Sequence, residues 1–163
     1  MPVELRLCGH EVSSEHGKVV YRFELWKTIH DGVSAAREAE LIHRFGARFS
    51  ALKTLHQALS ARYPALPKFP SSYVLRNMVS DTANRELRAS ELLVYLRGAL
   101  LSDASVWEEE IVRAALGVDS RSAEELMAAI RNKPVPHLQE PARNALADLL
   151  STPRAARDRK SVV

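Results

Sequence analysis

Arg48, Lys68 and Arg88 are the residues of this sequence best suited to chemistry, and the chemistry they suit is the capture of a polyvalent anion. Between Glu40 and Asp81 there is no aspartate or glutamate, whereas Arg44, Arg48, Lys53, Arg62, Lys68 and Arg76 all fall in that stretch. At the average of 20 acids in 163 residues, it would hold about five. Arg48 stands at the start of a helix predicted over 50–63, and Arg85 and Arg88 stand in the opening turns of another. A helix N-terminus carries partial positive charge, so a cation there is disfavoured by ~0.3–1 kcal/mol unless an anion joins it. Two such ends converging with Lys68 would combine guanidinium forks, an ammonium and open backbone N–H groups, a donor set suited to phosphate.

Enzymatic signatures are lacking by comparison. Gly9 and Gly17-Lys18 are too far apart for a phosphate-binding loop, and Val19 stands where a hydroxyl should follow the lysine. The six histidines show no metal-ligand pairing at helical spacing, and no serine sits in a nucleophile-elbow sequence. No cofactor, metal or catalytic residue is expected.

The elements that must hold the basic residues are legible from periodicity. Val3, Leu5 and Leu7 alternate with polar neighbours, and KVVYRFELWKTI (18–29) places Val19, Tyr21, Phe23 and Leu25 on one face. His30-Asp31-Gly32 marks a turn before a third strand near 38–45, giving an antiparallel meander. From residue 50 the period becomes helical, with Leu52, Leu55, Leu59 and Tyr63 in one stripe and Pro64 ending it. PALPKFP (64–70) must be extended. A helix over 83–101 carries Leu92, Leu93, Leu96 and Leu100, and Trp107, Ile111, Ala115 and Leu116 predict another that stops at Gly117. Beyond 118, Ser122-Ala123-Glu124-Glu125 reads as a capping box, and Pro141 opens a further helix with Leu146, Leu149 and Leu150.

Composition bounds the function. The formal charge of +3 resides in the tail, where Arg154, Arg157, Arg159 and Lys160 face Asp158 alone, so the neutral body argues against a nucleic-acid coat. Cys8 is the single cysteine, which fits a reducing compartment. No apolar run approaches ~20 residues and no basic flank precedes a hydrophobic stretch, so neither a span nor a signal peptide is expected.

ARFSALKTLHQAL (47–59) resembles the signature of the Phox-homology (PX) domain family, Arg-Arg-Tyr-Ser-Asp/Glu-Phe-x-x-Leu-His-x-x-Leu. Arg48, Phe49, Ser50, Leu52, Leu55, His56 and Leu59 match it in register, while Ala47 and Ala51 replace the first arginine and the acid. Leu66-Pro67-Lys68 is similar to the family's proline loop, although no residue intervenes between Pro67 and Lys68. Arg88, followed by Leu92, Tyr95, Leu96, Leu100 and Leu101, is similar to its arginine ahead of a Leu-x-x-Tyr-Leu helix.

The resemblance implies an α+β fold, a PX-like three-stranded antiparallel meander packed on a helical subdomain with extra C-terminal helices. It implies a PX-like domain over 1–118, beyond which the residues themselves read as a C-terminal helical extension over 119–152 and a basic tail over 153–163 that is expected to be disordered. It implies non-catalytic recognition of a phosphoinositide, phosphatidylinositol 3-phosphate first, by a cytoplasmic protein peripheral on endosomal membranes, as in sorting-nexin-like trafficking. In that scheme Arg48 holds the 3-phosphate and Phe49 packs against the inositol. Lys68 reaches the 1-phosphate, and Arg88 binds the ring hydroxyls. Phe69, Tyr73, Val74 and Leu75 would contact the membrane, with Phe69 and Val74 as the exposed pair. The residues leave open an alternative, a protein-interaction module on the same scaffold with a degenerate pocket. A protein partner would then use the proline loop, the C-terminal helices or the Ser161-Val162-Val163 end, which fits a ligand of PDZ domains.

Overall fold

Strands with alternating apolar residues gather those residues on one face of a sheet, which is buried by packing against the core. In the computed structural model β1 (Val3–Val12), β2 (Val19–Ile29) and β3 (Glu38–Ala47) form one antiparallel sheet in the order β1-β2-β3. The structure describes residues 2–15, 17–29, 38–72 and 81–132. The expected turn at 30–32, Tyr73, Val74, Leu75, the helix around Leu146 and the 153–163 tail lie outside them.

Val3, Leu5, Tyr21, Phe23, Leu25, Phe45 and Ala47 make the buried face, with Leu5 opposite Leu25 and Phe23 opposite Phe45. The register slips between Leu7 and Gly9, where Gly9 has φ +149°, and again beside Trp26. On the other face Glu24 accepts hydrogen bonds from Trp26 Nε1 (2.9 Å) and Arg44 Nε (2.7 Å), and the Arg6 guanidinium lies 5.0 Å from the Trp26 ring centroid. Those two hydrogen bonds hold the Glu24 carboxyl below its usual range, Trp26 contributing most.

Helices cover the apolar face. α1 (Phe49–Ser60) buries Leu52, Leu55 and Leu59, and α2 (Thr82–Leu101) buries Leu92, Leu96 and Leu100. Asp81 caps α2 by accepting from the Asn84 backbone N–H. Tyr63 falls just past α1 and donates its hydroxyl to Ser105 O and Glu109. The architecture is the expected α+β meander on helices.

Two local expectations need correction. Trp107 and Leu116 do not share one helix: Ala104–Glu108 is a 3-10 turn and α3 is Glu110–Leu116. Val112 and Leu116 point inward there, leaving Ile111 exposed. Gly117, with φ +65°, ends α3 as expected. The next helix, α4 (Ser120–Arg131), is capped by Asp119, which accepts from Ser122 N. Ser122 therefore lies inside the first turn, and Glu125 pairs with Lys27 instead of capping. Ala123, Leu126, Ala129 and Ile130 of α4 join the same hydrophobic core as the sheet.

The proline loop is seated on α2. A Cβ at Gly98 would come within 2.5 Å of Pro67 Cγ, so only glycine lets the ring lie against the helix. Gly98→Val should overpack this seat at a cost of ~1–3 kcal/mol, which exceeds the few tenths gained in helix propensity. A lower urea midpoint with an unchanged slope is expected, and a midpoint at or above that of the parent would contradict the account.

Candidate functional site

Arg48 is the N-cap of α1, with extended backbone (φ −86°, ψ 152°) and no side-chain capping bond. The first turn of α1 has no acid, and its backbone N–H groups open where β3 hands over to the helix. From α2, Arg88 reaches the same place although the residue is only 3% exposed. Its guanidinium carbon lies 4.0 Å from the centroid of the Phe49 ring. Arg88 Nε is 3.9 Å from Glu91 Oε2, an ion pair beyond hydrogen-bond distance.

These three side chains line one cavity of about 480 Å³, together with Lys18, Tyr21, Ser50, Lys53 and Ser72. No carboxylate stands among the described residues lining it. Burial pushes the Tyr21 hydroxyl above its ordinary pKa, and the positive charges of Arg88 and Arg85 oppose that rise. A larger cavity of about 650 Å³ between α1 and α3 has the opposite character, with Arg62 bridged to Glu109 and Glu110 beside it.

Lys68 does not line the Arg48 cavity. It borders a neighbouring one of about 500 Å³ with Phe69, Ser90, Glu91 and Val94. Pro67, seated on Gly98, directly precedes it, and the Lys68 cavity is walled by Ser90, Glu91 and Val94 of α2. Phe69 is likewise no exposed anchor. It is half-buried among Tyr95, Phe49 and His56, with ring centroids at 4.9, 5.1 and 5.4 Å. His56 Nδ1 lies 3.0 Å from the Tyr95 hydroxyl, and burial raises the Tyr95 pKa to about 12.

Lys18 and Lys53 were not singled out as ligands by the sequence. Lys53 is one helical turn from Phe49, so the two share a face of α1, which was the available signal. Lys18 follows the Gly17 turn (φ +58°) that brings β1 back to β2, and only the hairpin register places it. Among the described residues no group of three His, Cys, Asp or Glu side chains is placed to hold a metal ion, and no helix is long and apolar enough to cross a membrane.

No protein-family model matches the chain. No curated protein matches it either. Its fold is similar to the X-ray structure of a designed CISK-PX domain, with 21% sequence identity and a TM-score of 0.52 over 69% of this chain and 97% of that one. The described sheet and helices thus have a PX-like architecture.

Proposed function

We propose that this chain is a non-catalytic module that recognises a phosphoinositide headgroup bearing a 3-phosphate and so attaches its protein to endosomal membranes. Phosphatidylinositol 3-phosphate is the smallest such headgroup. The observation that carries this reading is the convergence of Arg48, Phe49 and Arg88 on one cavity whose described lining has no carboxylate. Arg48 supplies a bidentate fork at a helix N-terminus, Phe49 a flat apolar wall, and Arg88 a second fork packed on that wall. Sedimentation with vesicles that differ only in headgroup phosphorylation tests it. Binding above that to vesicles of phosphatidylcholine and phosphatidylserine is expected, and its absence across the panel overturns the reading.

A protein-interaction role is the second reading. Leu87 and Val94 are 56% and 70% exposed on α2, and Val94 borders the Lys68 cavity beside the proline loop.

A further inference from the structure

Lys18 and Lys53 add charge that a single ring phosphate does not need. Away from the cavity, Arg6, Arg22, Lys27, Arg44, Arg62 and Arg131 each pair with a carboxylate. Among the described residues, Lys18, Arg48 and Lys53 form no such ion pair. The Lys18 backbone and the Lys53 side chain are nonetheless positioned. The hairpin turn fixes the Lys18 backbone, its carbonyl accepting from Ser13 N–H at 2.8 Å and Gly17 N–H donating to Ser13 O at 2.9 Å. The Lys53 ammonium donates to Ser72 Oγ at 3.1 Å, and both of those residues line the cavity.

A phosphomonoester carries about −1.5 to −2 at neutral pH. The Arg48 guanidinium, with the open N–H groups of α1, suffices for one such group. Lys18 and Lys53 line the same cavity as Ser72, and their two compact ammonium groups with the serine hydroxyl suit another. We infer that Lys18 and Lys53, with Ser72, constitute a second phosphate subsite, so that the cavity selects an inositol ring bearing two phosphomonoesters over one bearing a single phosphomonoester. This rests on the phosphoinositide reading above.

Vesicles of matched total surface charge, containing either a mono- or a bisphosphorylated phosphatidylinositol, provide the test. The parent chain should bind the bisphosphate vesicles about tenfold more tightly, the gain typical of one added charge-assisted contact. In the Lys18→Ala/Lys53→Ala variant that preference should fall to near unity. Equal parental affinity for the two vesicles overturns the inference, as does a preference that survives in the variant. Both of those results leave the phosphoinositide reading standing, whereas parental binding to neither vesicle type overturns that reading itself. Water-soluble inositol bisphosphate forms the last arm. If it binds as tightly as the vesicles, the second subsite is supported but the ligand is a free inositol phosphate and the membrane assignment fails.

Discussion

Arg48→Ala is expected to weaken binding to phosphoinositide vesicles by about 100-fold, because it removes up to two charge-assisted hydrogen bonds of ~1.5–3 kcal/mol each. Thermal stability should barely move. Arg48 makes no side-chain capping bond, and among the described residues it has no ion pair to lose. Alanine is a poor N-cap, but removing a cation from a helix N-terminus offsets part of that by ~0.3–1 kcal/mol. The net change should stay within about 0.5 kcal/mol. Circular dichroism melts beside vesicle sedimentation read both quantities. Full binding by a folded Arg48→Ala chain would remove Arg48 from the site and, with it, the assigned pocket.

Trp107→Ala should give the largest loss of stability, about 3–5 kcal/mol. The indole is completely buried, and its Nε1 donates to Leu100 O at 2.8 Å. Leu100 is the penultimate residue of α2, where carbonyls have no partner within the helix. The substitution therefore opens a cavity under the 3-10 turn and strands a buried acceptor at a helix C-terminus. That is a large share of the ~5–15 kcal/mol typical of a domain. Trp107→Phe should restore about half, since most of the ring volume returns and the donor does not. Denaturant unfolding measures both variants, and a loss under about 1 kcal/mol for alanine would mean the core collapses around the gap.

The sheet was legible because its signal is local. Period-two alternation in 3–7 and 19–25 needs only a few residues to declare a buried face, and Val3, Leu5, Tyr21, Phe23 and Leu25 are buried accordingly. Helix α1 was legible for the same reason, its leucines at spacings of three and four. Spacing failed around Trp107, because a 3-10 turn ending at Glu108 separates Trp107 from the helical period that restarts at Glu110. It also failed at Ser122, where two capping patterns overlap and Asp119 reaches the open N–H first.

In the site, Arg48 and Phe49 could be placed by their position at the strand-to-helix junction, and Arg88 by its turn of α2. Lys68 could not, since its direction depends on how Pro67 seats against a glycine thirty-one positions later. Lys18 was hidden likewise, its approach set by the β1–β2 hairpin register and by the pairing of β2 with β3 that puts Tyr21 opposite Ala47.

Phe49 belongs to two neighbourhoods at once. One face carries the Arg88 guanidinium, and its rim meets Phe69, which itself leans on Tyr95 inside the protein. The wall a guest would touch is thus continuous with material already immobilised by folding. Occupancy should then demand little additional loss of side-chain freedom at that wall, leaving more of the gross attraction to appear as net affinity. Loosening Tyr95, well away from any guest, should be felt as a faster departure from the cavity.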